Sequence, residues 1–238
     1  PAGRCGASNE AKATQMTVEA PPRRALPGSF RDPSGFMLVE NGTLYRQVNR
    51  CYQQPFDRLM RSGLYEALTE AGLLIRHEEV REEADASSSW YKLLQPEVVP
   101  FVSYPYEWCF SQLKAAALLT LEIQRKALAF GMSLKDASAY NIQFVRGRPI
   151  LIDTLSFELY QDGMLWPAYR QFCEHFLAPL ALMAFTDVRL NRLLQAHLDG
   201  IPLDLAGALL PLRTRLYPGL LAHLHLHAAA QQRLARAS

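Results

Sequence analysis

Asp136, Asn141 and Asp153 stand five and then twelve positions apart in the stretch Ser133 to Asp153. Between them, Asn141-Ile-Gln-Phe-Val and Arg148-Pro-Ile-Leu-Ile flank the turn Arg146-Gly147, a pattern that predicts two short strands joined tightly. A hairpin brings its open ends together. Asp136 and Asn141 precede the first strand and Asp153 follows the second, so two carboxylates and an amide are expected at one spot. Hard oxygen donors of this kind hold Mg²⁺, and a separate carboxylate can orient a hydroxyl nucleophile. A plainer reading competes with this one. Asp and Asn are common in turns, where they cap local backbone without doing chemistry.

The flanking sequence gives the elements that must position these residues. Residues 1–30 are rich in Ala, Gly, Pro, Arg and Ser and are expected to form a disordered tail. Phe36 to Glu40 and Thr43 to Val48 flank Asn41-Gly42, the strongest short hairpin signal. Phe56, Leu59, Met60, Leu64 and Leu68 carry a helical spacing, which predicts one helix over Pro55 to Leu74. Glu78 to Ser89 reads as an exposed loop, and Trp90 to Leu94 and Val98 to Tyr104 as two short strands. Tyr104-Pro-Tyr-Glu-Trp breaks the pattern like a hinge. A long helix is expected over Phe110 to Phe130, ending at Gly131. Beyond Tyr169 the chain is helical in character, in segments punctuated by Pro179, Pro202, Pro211 and Pro218. The expected organisation is α+β: a tail (1–30), a small lobe of strands plus one helix (31–104), and a helical lobe (105–238) that carries the hairpin at 136–153.

Composition bounds the partners. The 238 residues, 49% of them hydrophobic, can build a sizeable core. Twenty-five basic residues against 23 acidic ones leave a net charge of +2, which does not argue for nucleic acid as a partner. The four cysteines form no CxxC pair, consistent with reduced structural thiols in the cytoplasm. Phe176 to Phe185, the longest apolar stretch, is about half of the ~20 residues a membrane span needs. His223 and His227 would share a helix face, yet no further ligand supports a zinc site, and an ordinary amphipathic helix is the better reading.

The order of elements, with Asp136-x₄-Asn141 and then Asp153 after the apolar run Ile150-Leu-Ile, resembles the two-lobed protein kinase-like fold, closer to small-molecule and antibiotic kinases than to signalling kinases. The resemblance covers about residues 36–185. It implies ATP and Mg²⁺ as cofactors and transfer of a phosphoryl group to a hydroxyl of a small molecule or glycan. Asp136 would orient that hydroxyl, while Asn141 and Asp153 would ligate the metal. Arg46 stands where a strand lysine would pair phosphates, and Glu66 or Glu70 on the following helix would be its acidic partner. Lys92 is a second candidate for that cation. Lys135 beside Asp136 would touch the γ-phosphate, and Ser138 would contact substrate. The pattern departs from the family at Leu134, where a His is expected, and at Leu155, where a Gly is expected. No glycine-rich phosphate loop stands at Asn41-Gly42. Trp90, Tyr91, Tyr104, Tyr106 and Trp108 would either line an aromatic cleft or pack the hinge.

Longer strings, among them GLYEALTEAGLLIRHEEV, VPFVSYPYEWCFSQLKAAALLTL and GMSLKDASAYNIQF, are similar to the front part of a bacterial family of class I SAM-dependent methyltransferases, some of them nodulation proteins. In that family the methyltransferase module follows downstream. The resemblance implies that S-adenosylmethionine would bind only in such a module, in the same polypeptide or a partner. The present cleft would then be a non-catalytic, pseudokinase-like substrate-binding module.

Overall fold

The computed structural model describes residues 24–26, 32–80 and 88–237. The tail expected at 1–30 lies outside the described residues, except for Arg24 to Leu26. Those form a strand end rather than a coil. Strand β1 (Arg24–Ala25) pairs antiparallel with β2 (Gly35–Glu40), Arg24 opposite Val39.

The chain is a mixed α and β protein built on a small antiparallel sheet. Strands β2 and β3 (Thr43–Asn49) form the hairpin signalled by Asn41-Gly42. Both turn residues take positive φ, 51° at Asn41 and 79° at Gly42, the conformation a two-residue hairpin of this hand requires. Strand β5 (Trp90–Pro96) pairs with β3, and β4 (His77–Glu79) with β5, giving the order β1-β2-β3-β5-β4. Two strand expectations change here. His77–Glu79 is a strand, not loop, because Glu78 and Glu79 pair along the sheet edge where charged side chains are tolerated. Val98 to Tyr104 is not a strand: Val98, Phe101 and Val102 are exposed, in irregular chain between β5 and α3.

The helix expected over 55–74 is two helices, α1 (Gln53–Arg61) and α2 (Leu64–Glu70). They break at Gly63, whose φ of 84° is left-handed. Phe56, Leu59, Leu64 and Leu68 still face inward, as their spacing predicts. Helix α3 (Phe110–Ala129) ends one residue before Phe130, and Gly131 at φ 72° turns the chain into β6 (Met132–Leu134). Leu113, Ala116, Ile123 and Ala127 of α3 are fully buried, whereas Leu121 and Leu128 are exposed.

Strands β7 (Ile142–Val145) and β8 (Arg148–Leu151) form the second hairpin, and Arg146 and Gly147 turn at φ 50° and 76°. Strand β9 (Phe157–Leu159) returns to pair with β6. Leu151 and Leu74 form a parallel bridge that ties this hairpin to the end of α2. One large apolar cluster joins α1, α2, α3 and the hairpin through Leu59, Leu68, Leu74, Leu113, Ile142 and Phe157. A smaller one, Val48, Tyr52, Phe56, Leu94 and Leu155, fastens the sheet to the segment after Asp153.

The remaining chain is helical. Helix α4 (Tyr169–Phe172) runs through a π-helical turn (Cys173–Leu177) into α5 (Ala178–Phe185). Pro179 is accommodated there because the wider turn has already displaced the ordinary ladder. A 3₁₀ turn (Val188–Arg192) leads into α6 (Leu193–Ala196), followed by α7 (Leu203–Leu209), α8 (Pro218–Leu220) and α9 (His227–Ala237). Their core is a separate cluster around Leu182, Leu194, Ile201, Leu203 and Leu224.

Candidate functional site

The β7–β8 hairpin does bring its ends together. Asp136, Asn141 and Asp153 line one cavity of about 460 Å³, roofed by Met37, Leu44 and Arg46 of the sheet and walled by Val98 and Val102 of the crossing segment. Asp32 also lines it. Sequence reasoning missed this residue, which stands only two residues beyond the tail assigned to 1–30. Its one local signal is Asp32-Pro33-Ser34-Gly35, a turn composition just before a strand.

Each polar group is held by specific neighbours. Asp136 Oδ1 accepts from the Ser138 amide at 2.8 Å, a local turn that fixes the carboxylate and leaves Oδ2 outside that bond. Ser138 Oγ in turn accepts from the Tyr140 amide at 3.3 Å, so Ser138 braces the loop and is not among the residues lining the cavity. Asp153 is the most engaged. Its Oδ1 accepts from Arg46 Nη2 at 2.9 Å and from the Leu155 amide at 3.2 Å, and its Oδ2 from Ser156 Oγ at 2.8 Å. Asn141 Nδ2 lies 3.5 Å from the same Ser156 hydroxyl.

Arg46 is the cation of the site, but its acidic partners are Asp153 and Asp32, the latter at 3.5 Å. Glu66 lies on the exposed face of α2 and does not line the cavity, which corrects the pairing expected for Arg46. Lys92 pairs with Glu79 at 2.7 Å on the sheet surface, away from the cavity. Lys135 points toward the 32–35 turn. Its Nζ donates to Ser34 Oγ at 2.6 Å, lies 3.9 Å from Asp32, and sits 4.7 Å above the Tyr52 ring. Burial and the nearby Asp153 charge push the Tyr52 hydroxyl well above its ordinary pKa, so it stays protonated and donates to the Phe157 carbonyl at 2.6 Å. Among the described residues, Arg46 Nε is buried and has no hydrogen-bond partner. A buried guanidinium donor with no acceptor is costly.

The loop that carries Asp136 is clamped by side chains that the sequence did not single out. Gln124 on α3 accepts from the Leu134 amide at 2.7 Å and donates to Ser133 Oγ at 3.1 Å. Trp166 Nε1 donates to the Leu134 carbonyl at 2.8 Å. Gln171 accepts from the Ala137 amide at 2.6 Å. Together these three side chains hold the backbone of Leu134 and Ala137. Long polar side chains at remote sequence positions carry no local signal, so only the tertiary arrangement finds them.

Of the aromatic cluster, Trp108 is buried and donates to Ser103 Oγ, and Tyr104 stacks on Tyr106 at 5.4 Å; none of the five aromatics lines the cavity. His223 Nδ1 is 2.6 Å from Tyr169 Oη, and His227 stacks on the Tyr169 ring. Among the described residues, no three His, Cys, Asp or Glu side chains gather to hold a metal ion, and no helix is long and apolar enough to cross a membrane.

A Mg²⁺ ion carried by nucleotide phosphates asks for less than a closed protein cage. One or two protein oxygens suffice, with waters and phosphates completing the octahedron. A carboxylate oxygen has two lone-pair sites. Both at Asp153 Oδ1 are occupied, whereas Oδ2 carries one donor and keeps one site open. Asp153 Oδ2 thus has room for one such contact, and Asn141 lines the same cavity.

No family model matches the chain. Over 194 residues it is 36% identical to nodulation protein NoeA of Rhizobium meliloti (strain 1021), in an alignment covering 79% of this chain and 40% of that protein. The chain thus spans well under half of that relative's length.

Proposed function

We propose that this chain is a two-lobed kinase-like domain whose cleft binds a nucleoside triphosphate with Mg²⁺ and transfers a phosphoryl group to a hydroxyl of a small molecule or glycan. The observation that carries the reading is the convergence of Asp136, Asn141, Asp153 and Arg46 on one cavity between the sheet and the hairpin. In this reading Asn141 and Asp153 hold the metal, which neutralises phosphate charge when bound. Arg46, which lines the cavity, offers its guanidinium to a phosphate oxygen. Asp136, fixed by the Ser138 amide, accepts the hydroxyl proton and aims the oxygen.

A second reading has its own support. Asp153 is already bound by three donors, and the chain aligns with only 40% of the nodulation protein's length. A non-catalytic cleft would bind a substrate and present it to a methyltransferase module elsewhere, and S-adenosylmethionine would bind there alone.

Thermal-shift titration separates the two. A Mg²⁺-dependent rise in Tm with ATP, absent in Asp153→Asn, supports phosphotransfer chemistry; a ligand at a hundredfold excess over Kd stabilises by about 2.7 kcal/mol. Asp136→Asn should keep the shift and lose turnover. The absence of any shift with ATP, with or without Mg²⁺, refutes the first reading, and a shift with S-adenosylmethionine alone refutes both.

A further inference from the structure

Asp32 occupies a position that neither the hairpin motif nor the proposed transfer requires. Its Oδ2 is 3.5 Å from Arg46 Nη2, and its Oδ1 is 3.9 Å from Lys135 Nζ. Arg46 lines the cavity and pairs with Asp153, while Lys135 donates to Ser34 of the 32–35 turn. Lys135 comes from the loop after β6 and Arg46 from the sheet, so a single carboxylate bridges two structural units. Arg46 is 13% exposed, Lys135 27% and Asp32 33%, so the bridge sits at the edge of the cleft, neither in bulk water nor in the core.

The turn holding Asp32 is built. Asp32 Oδ1 accepts from the Ser34 amide at 2.9 Å. Ser34 is buried and its hydroxyl accepts from Lys135. Gly35 packs so close to β3 that a Cβ there would stand 1.9 Å from the Gln47 carbonyl oxygen. The turn is thereby pressed onto the sheet, and its carboxylate is delivered beside the two cations.

We infer that Asp32 is a built-in competitor of the ligand's phosphate: its carboxylate occupies the anion position between Arg46 and Lys135, and an incoming phosphate must displace it. This rests on the proposed phosphate-binding cleft. The alternatives fit less well. As a third metal ligand Asp32 would have to gather with Asp136 and Asp153, and these do not form a metal-holding cluster. As a mere surface ion pair it would not need a buried serine and a glycine pressed against the sheet to aim it. Displacement leaves Asp32 next to an anion, so the bound state favours a phosphate that brings its own cation, and a metal-free anion meets the competition in full.

The test compares the chain with Asp32→Asn, using MgATP and, separately, metal-free inorganic pyrophosphate as probes. Asparagine retains an oxygen for the Ser34 amide, so the turn persists while the charge is removed. Weak, partly exposed ion pairs are each worth a factor of about two to five, so losing two should tighten pyrophosphate binding by roughly four- to twenty-five-fold. Lys135→Met in the Asp32→Asn background should abolish that gain. A gain with pyrophosphate but no MgATP binding by either protein upholds the role of Asp32 and refutes the nucleotide reading. Pyrophosphate affinity equal to or below that of the parent chain, or no binding by Asp32→Asn, overturns the inference. Equal far-ultraviolet circular dichroism and cooperative melting of the two proteins show that the comparison is between folded chains.

Discussion

Arg46 and Asp153 should be energetically coupled well beyond an ordinary surface pair. Their side chains are 13% and 19% exposed, and the contact is 2.9 Å, from the middle of the sheet to the end of the hairpin, 107 residues away in sequence. Unit charges about 4 Å apart interact by roughly 4 kcal/mol at an effective dielectric of about 20. Desolvating a half-hidden pair takes back part of that, which leaves a net coupling of about 2 kcal/mol. The measurement is a double-mutant cycle with Arg46→Met, Asp153→Asn and the combined variant, by urea unfolding at one pH and one salt concentration. Arg46→Met alone should be the more harmful single change, since it leaves Asp153 without its cation and Asp32 with Lys135 alone, at 3.9 Å; the combined variant should recover part of the loss. The Arg61–Asp57 pair on α1, with Arg61 79% exposed, is an internal standard and should show ~0.3 kcal/mol. If the Arg46 and Asp153 effects add within about 0.5 kcal/mol, the pair is not coupled and the electrostatic picture of the cleft is wrong.

Other expectations are as direct. Gln124→Leu should cost about 1–3 kcal/mol because the Leu134 amide loses its buried acceptor; hydrogen exchange at that amide should accelerate, and unchanged protection would mean the clamp is dispensable. Gly35→Ala should destabilise by about 1–3 kcal/mol, as the Gln47 carbonyl must move to admit a methyl group, and an unchanged urea midpoint would contradict the packing described. His77 and His175 both have their pKa lowered to about 4, chiefly by burial. The folded state therefore refuses a proton that the unfolded chain takes up below its ordinary value near 6.5. Their stability contribution is intact above that value and erodes as pH falls toward 4, by about 1.4 kcal/mol per pH unit for each histidine. His77→Phe, whose ring fits between Phe56 and Tyr65, should flatten the slope of stability against pH between about 6.5 and 4 by one histidine's share; an unchanged slope would refute the assignment.

The elements most legible in the sequence are those whose signals are local. Asn41-Gly42 and Arg146-Gly147 dictate positive φ at adjacent residues, and both hairpins form where the sequence places them. The single helix expected over 55–74 fails at Gly63, because apolar spacing persists across the break: Leu59 and Leu64 both reach the core whether or not the backbone between them is continuous. Strand β4 escaped notice because its edge position leaves Glu78 and Glu79 exposed and so erases the alternating pattern. The polar triad behaves like the hairpins. Its convergence follows from chain geometry alone, and Asp136, Asn141 and Asp153 do line one cavity.

What was not legible is which charge faces which. An arginine on a central strand can meet an acid from a neighbouring helix, from the hairpin, or from the turn before the sheet. Sequence distance decides nothing among these: Glu66 is 20 residues from Arg46 and stands on an exposed face, while Asp153 is 107 residues away and touches it. The choice is made by α2. Its buried face is fixed by Leu64, Leu68 and Thr69, which turns Glu66 outward, and with the helix acid removed the guanidinium is left to the carboxylates of the cleft. Arg46 Nη2 meets these carboxylates, while its Nε is unsatisfied among the described residues. A chain that needed Arg46 only as a strut between sheet and hairpin would gain by meeting that donor with a protein oxygen. Among the described residues that donor has no partner, a cost in stability that a purely structural strut would avoid.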